Sequence, residues 1–402
     1  MEDIMKKKLL SLLFTAVLSA SALTGCGQTA AIAQDSTGEE TPKTPADAPA
    51  DDKAAEGNGT LRVSYPTGNI RIAINILALE KGYFEEEGVM VEPVNIGGQN
   101  ALTAINGEND QLDVLCTGFV PDLQAIGSGY DITVIAGTAV EGGAVITKKG
   151  NAAKYQNAST ILDIDAVTSA KLGYQRNESA WVITRQYLLD NGVDAQTIAA
   201  IEDESTGNVS YFEDETALAQ AVQKGAVELG FLPMEYALLY GDAYDLEVVT
   251  AAGALQENYV CCREVTSAAR LAEKTDAFVA YETARIRAFE YYKKGETDEE
   301  VRADVVKTVA AYSGKEADYV ETYLYGGITK YATDPNTKGI IKYVEAATSS
   351  GILSSAGIDF AAYDIRQNID VSAYELALNN LAARDPGNEF YAALLEQFHS
   401  DN

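Results

Sequence analysis

The chain has 402 residues, 47% of them hydrophobic, and 60 Asp and Glu against 30 Lys and Arg give a formal net charge of -30. That length is two to three domains' worth and can bury a large core, while the acidic excess repels nucleic acid and anionic lipid surfaces. A single His, His399, leaves no Ser-His-Asp triad, Cys-His pair or histidine metal cluster, and no phosphate-loop, dinucleotide or nucleophile-elbow motif is present, so neither an enzyme nor a cofactor or metal is expected.

Lys6-Lys7-Lys8 precede an apolar run from Leu9 to Leu23, too short to span as a mature membrane helix; residues 1–25 read as a signal peptide. Its end, Leu23-Thr24-Gly25-Cys26, resembles the lipobox of bacterial lipoproteins. That resemblance implies cleavage before Cys26, lipidation of Cys26, and a location on the extracytoplasmic face of the cell membrane. Residues 27–59 hold Pro42, Pro45, Pro49, seven acids and no aromatic residue, so 26–59 is expected to be a disordered, extended tether.

From Leu61 to Gly118 the pattern is strand, helix, strand, helix, strand. Leu61, Val63 and Tyr65 alternate with polar residues until Pro66-Thr67-Gly68 stops the strand. Ile70, Ala73, Ile74, Leu77 and Ala78 form one helical stripe ending at Gly82. Val89 to Val94 is a strand, Gly97-Gly98 a turn, Ala101 to Ile105 a short helix and Leu112 to Leu115 the third strand. Such alternation favours parallel strands with crossover helices. The ordered set ALEKGYFEEEGVMVE, then GG, then AINGENDQLDVLCTG resembles the first lobe of the substrate-binding proteins of nitrate, sulfonate, taurine and thiamine-precursor ABC transporters. In that family the pair matching Tyr83-Phe84 caps the helix packing, and the turn matching Asn106 to Asp113 leads into a strand that ends at the ligand.

The similarity covers residues 61 to about 263. It implies a two-lobed α/β periplasmic-binding-protein fold of type II, each lobe a mostly parallel sheet flanked by helices. Residues 60–142 and 251–402 would build one lobe, with extra C-terminal helices, and 143–250 the other. Strands are expected at Ile132–Ala136, Ala144–Ile146, Lys171–Tyr174, Val209–Phe212, Glu228–Leu232, Leu246–Thr250 and Tyr259–Cys262, and helices at Ser179–Asp190 and Ala217–Lys224. Beyond Ala268 the pattern is helical as far as Ala382, and His399 falls in a terminus expected to be disordered. Cys116, Cys261 and Cys262 read as buried small residues; the family fold implies neighbouring strands, which would allow Cys116 to bridge Cys261 or Cys262.

Open α/β sheets bind ligands beyond the carboxyl ends of their strands. Candidates on that rule are Tyr65, Asn69, Gly98, Gln99, Thr117 and Gly118 in the first lobe, and Arg176, Glu178, Ser179, Trp181 and Glu235 in the second. Sulfonate- and nitrate-binding relatives tend to carry a small-residue loop where this chain has Arg176 to Trp181. Arg176, Ser179 and a helix start suit an anion, whereas Glu178 and Glu235 suit an N–H group. The expectation is an ABC importer's solute-binding lipoprotein, a monomer taking a sulfonate-like or zwitterionic small molecule to permease subunits. The alternatives are a sensor or scaffold lipoprotein, or a pyrimidine or other aromatic heterocycle stacked on Trp181 or Tyr65.

Overall fold

The computed structural model describes residues 58–402 apart from 108–110, 160, 177 and 355. The expected leader, Cys26, all but the last two residues of the tether and the middle of the 106–113 turn lie outside the described residues.

The strands are β1 (Gly59–Ser64), β2 (Val89–Val94), β3 (Leu115–Gly118), β4 (Thr133–Gly137), β5 (Ala139–Val140), β6 (Gly143–Lys148), β7 (Leu172–Tyr174), β8 (Val209–Tyr211), β9 (Leu229–Pro233), β10 (Leu246–Ala251), β11 (Cys262–Thr266) and β12 (Lys330–Tyr331). The parallel pair β2-β1 and the three strands β3-β11-β4 meet at the parallel bridge Val63 to Val114, the residue just before β3, which gives the order β2-β1-β3-β11-β4 with β11 antiparallel between β3 and β4. The other sheet runs β8-β7-β9-β6-β10, with β7, β8 and β9 parallel and β6 antiparallel between β9 and β10. The two orders are equivalent, each with one reversed strand in the fourth place. The fold is therefore two-lobed, each lobe a mostly parallel sheet flanked by helices, and further helices follow at the C-terminal end.

Two crossings join the sheets, and they pair with each other. Val140 bridges Val260 in antiparallel fashion, and the Asn258 amide donates to Glu141 Oε1 at 2.5 Å. Glu141 and Asn258 both hold left-handed backbone, with φ of 57° and 53°; Asn tolerates this, Glu much less so. Lys330 bonds the same Glu141 carboxylate at 3.2 Å, and β12 pairs with β5 beside it.

The helix Thr275–Lys294 packs on Ala73–Glu80 and on Ser372–Arg384, and it stacks Tyr281 on Phe84 with ring centroids 5.1 Å apart. Its fully buried Arg285 reaches Glu282 at 2.6 Å, Glu264 of β11 at 3.1 Å, Asn75 at 2.9 Å and the Gly137 carbonyl of β4 at 2.7 Å. Removing one partner of such a buried ion group leaves an uncompensated charge, at about 3–5 kcal/mol.

Some elements differ from expectation. The third strand pairs with β11 over Leu115–Gly118, later than the apolar run Leu112–Leu115; ahead of it Val114 bridges to Val63 of β1, and the buried Asp113 side chain accepts from the Arg62 amide at 2.7 Å and meets Lys274 at 2.8 Å. The returning strand spans Cys262–Thr266, since Tyr259 and Val260 belong to the crossing. His399 lies in the helix Glu389–Asp401, started by the Asn388 cap and held by buried Leu394 and Phe398; the terminus expected to be disordered is helical.

Candidate functional site: the interlobe cleft

A cavity of about 360 Å³ lies where strand ends from both sheets meet. Pro66, Asn69 and Arg71 reach it from the loop after β1, Gly97 and Gly98 from the turn after β2, and Cys116, Thr117 and Gly118 from the end of β3. Gln175, Glu178 and Ser179 face it from beyond β7, Glu215 from beyond β8 and Pro233 from the end of β9. Gly142, Gly143, Cys261 and Cys262 close it from the crossings.

The two walls differ in polarity. On the first-lobe side, the helices Gly98–Ile105 and Phe119–Gly127 begin at Gly97 and Gly118 without side-chain caps. Their starts carry the positive ends of helix dipoles, although the Phe119 amide is bonded to the Cys261 carbonyl at 3.0 Å. Arg71 adds a guanidinium. Its Nε donates to Glu235 Oε2 at 2.8 Å and its Nη2 to Oε1, a bidentate pair between the loop after β1 and the helix after β9. Burial opposes the Arg71 charge, but Glu235 outweighs it and holds the group above its ordinary pKa.

On the second-lobe side, Glu178 is the cap of Ser179–Asp190 and accepts from the Ala180 amide at 2.9 Å. Burial pushes its carboxyl up to about 7, opposed by the Ala180 amide and Arg71 and reinforced by Glu215. Such a group gains from an N–H donor that arrives with a ligand. Ser179 Oγ accepts from the Tyr343 hydroxyl at 2.9 Å, which ties this wall to the helix Thr337–Ser349.

Of the residues singled out by sequence, Asn69, Gly98, Thr117, Gly118, Glu178 and Ser179 line the cavity. The others are placed elsewhere. Tyr65 is buried, its hydroxyl donating to the Asn75 carbonyl at 2.9 Å, and Gln99 is exposed on its helix. Arg176 sits 3.7 Å over the Tyr211 ring and pairs with Glu204 at 2.7 Å. Trp181 stacks on Tyr174 with centroids 4.9 Å apart and donates to Glu202 at 2.9 Å. Arg176 and Trp181 line a separate cavity of about 290 Å³. Glu235 reaches the cleft only through Arg71. Sequence reasoning passed over Glu215 and the three cysteines; the strand-end rule applied to β8 would have found Glu215, and Cys116 stands one residue before Thr117.

Among the described residues no group of three or more His, Cys, Asp or Glu is placed to hold a metal ion, and no helix is long and apolar enough to cross a membrane.

The fold and cleft together define the periplasmic-binding-protein architecture. The chain is similar to the aliphatic sulphonate binding protein SsuA from Escherichia coli, with TM-score 0.58 and 15% identity over 77% of this chain and 97% of that one. It is likewise similar to the nitrate-binding protein NrtA from Synechocystis, with TM-score 0.58 and 13% identity over 80% and 89%. A third similar structure is the alkanesulfonate-binding protein SsuA from Xanthomonas axonopodis bound to MOPS, with TM-score 0.55 and 15% identity over 79% and 100%. At these identities the likeness shows the fold alone. No protein-family model and no curated protein matches the sequence.

Proposed function

We propose that the protein is the extracytoplasmic solute-binding component of an ABC importer, and that its cleft takes a small zwitterion such as an aminosulfonate or amino acid. The observation that carries this reading is the opposed charge of the side chains on the cavity walls: Arg71 on one side, Glu178 and Glu215 on the other. An acidic group would lie against the first lobe and an ammonium against the second. A bare inorganic anion gains nothing from those carboxylates: like charges about 4 Å apart repel by roughly 4 kcal/mol at an effective dielectric of 20. The Xanthomonas neighbour's MOPS, a sulfonate that also carries a basic nitrogen, is in keeping with this reading. The heterocycle alternative loses its stacking surface, because Trp181 and Tyr65 pack away from the cavity. We also infer that residues 60–142 and 251–402 form the first lobe and 143–250 the second, and that lipidated Cys26 anchors the protein beside its permease.

Thermal-shift screening of taurine, alkylsulfonates, amino acids, nitrate and pyrimidines tests the ligand class, since a solute that binds only the folded state raises the melting temperature. A zwitterion should stabilise the wild type, and Glu178→Gln should weaken that effect. Stabilisation by nitrate alone, unchanged in Glu178→Gln, would reject it.

A further inference from the structure

Three thiols converge on the cleft from two places in the chain. Cys116 lies in β3, Cys262 opens β11 and Cys261 precedes it, and all three line the cavity. Cys262 pairs with Gly118 and Glu264 with Cys116, so Cys116 and Cys262 share one face of the sheet. Neighbours within a strand would face opposite ways. Cys261, however, stands before the strand begins, and its Sγ approaches Cys262 Sγ to 3.7 Å. Gly142 leaves it room, since a Cβ there would stand 3.1 Å from Cys261 Sγ.

All three cysteines are free. The hydrogen bond with Cys261, helped by Arg71, holds the Cys262 thiol below its ordinary pKa. The same hydrogen bond, with burial, raises Cys261, while burial and the Cys262 charge raise Cys116. A thiol held below its ordinary pKa beside one held above it is the pairing that suits an attacking and a resolving sulfur.

We propose that Cys261 and Cys262 are a redox-active dithiol in the cleft wall that reacts with small disulfides by thiol–disulfide exchange. The Cys262 thiolate attacks one sulfur of R–S–S–R, forming a mixed disulfide and releasing RS⁻. Cys261 then attacks Cys262 Sγ, closing the Cys261–Cys262 bond and expelling the second RS⁻, and its proton leaves with one of the two. The small disulfide gains two electrons and the protein dithiol loses them. The sulfurs draw in from 3.7 Å to the bonded distance of about 2.0 Å, which moves the Cys261 side chain and reshapes the cavity wall.

The test uses the full chain with Cys26→Ser, leaving three thiols, exposed to oxidised glutathione and followed by intact mass and peptide mapping. The expected product has lost two hydrogens and links Cys261 to Cys262, and Cys116→Ser behaves the same way. Cys261→Ser should stop at a glutathione adduct on Cys262, and Cys262→Ser should slow thiol loss about tenfold or more. Without the cysteine substitutions in the cleft, phenylarsine oxide should bridge the pair, block exchange and protect both thiols from alkylation, a readout that no variant's folding can confuse. A bridge from Cys116, thiols that react only after unfolding, or failure of phenylarsine oxide to protect the pair would each overturn the proposal.

Discussion

Glu178 joins two roles at one atom group, since it starts the helix Ser179–Asp190 and faces the cavity. A carboxyl raised from 4.5 to about 7 contributes stability that is complete below the lower value and is lost as pH rises through the higher one. The loss is at most about 3 kcal/mol. Glu178→Gln keeps an oxygen for the Ala180 amide and removes the titration. Chemical denaturation of both proteins from pH 4 to pH 8 should therefore show the wild type losing ground to the variant between about 4.5 and 7. A difference independent of pH would mean that Glu178 titrates as an ordinary exposed acid. A bound ammonium should restore the wild type at the upper end of the range.

Elements with a plain apolar period, such as β2 and the helix Glu215–Gln223 with its buried stripe of Leu218, Ala219 and Val222, are legible in the sequence because their burial follows from position alone. β11 is not. Arg263 and Glu264 are both fully buried, and the partners that make this tolerable for Glu264, among them Asn75, Tyr281 and Arg285, come from distant segments that no local window contains. β5 and β12, at two residues each, are too short to carry a period. Within the cleft, the strand-end rule points to whole loops without saying which side chains turn inward. Ser179 lines the cavity and Trp181 does not, as two steps along a helix rotate a side chain by about 200°. Close packing at element ends was equally hidden. A Cβ on Gly137, at the end of β4, would lie 2.3 Å from the Asp334 carbonyl oxygen and 2.4 Å from that of Ala332, so Gly137→Ala must push the β12 segment away from β5. Its cost should be about 1–3 kcal/mol in urea unfolding. Gly387→Ala, where a Cβ meets nothing within 4 Å, should stay within about 0.5 kcal/mol of wild type. Equal effects from the two would remove the packing argument.

At the scale of the whole molecule, the anchor and the binding body should be separable. Cys26→Ala ought to release the protein into the medium with its affinity for solute unchanged, measured by fractionation and calorimetry; a variant that stays with the membrane would refute the lipid anchor. The reversed strands carry a further consequence, which concerns time. β6 opens the stretch that supplies the rest of its sheet, so β6 to β10 are contiguous over residues 143–251. β11, by contrast, fills the gap between β3 and β4 only after the entire second sheet has been made. A chain emerging from its amino end therefore holds its earliest strands incomplete while later ones can already close, and long-range closure of this kind is slow. The fragment 143–251 should acquire protected amides in hydrogen exchange by itself, whereas 58–142 should not until 252–402 is supplied in trans. Protection arising in 58–142 alone would show that the first sheet does not wait for its last strand.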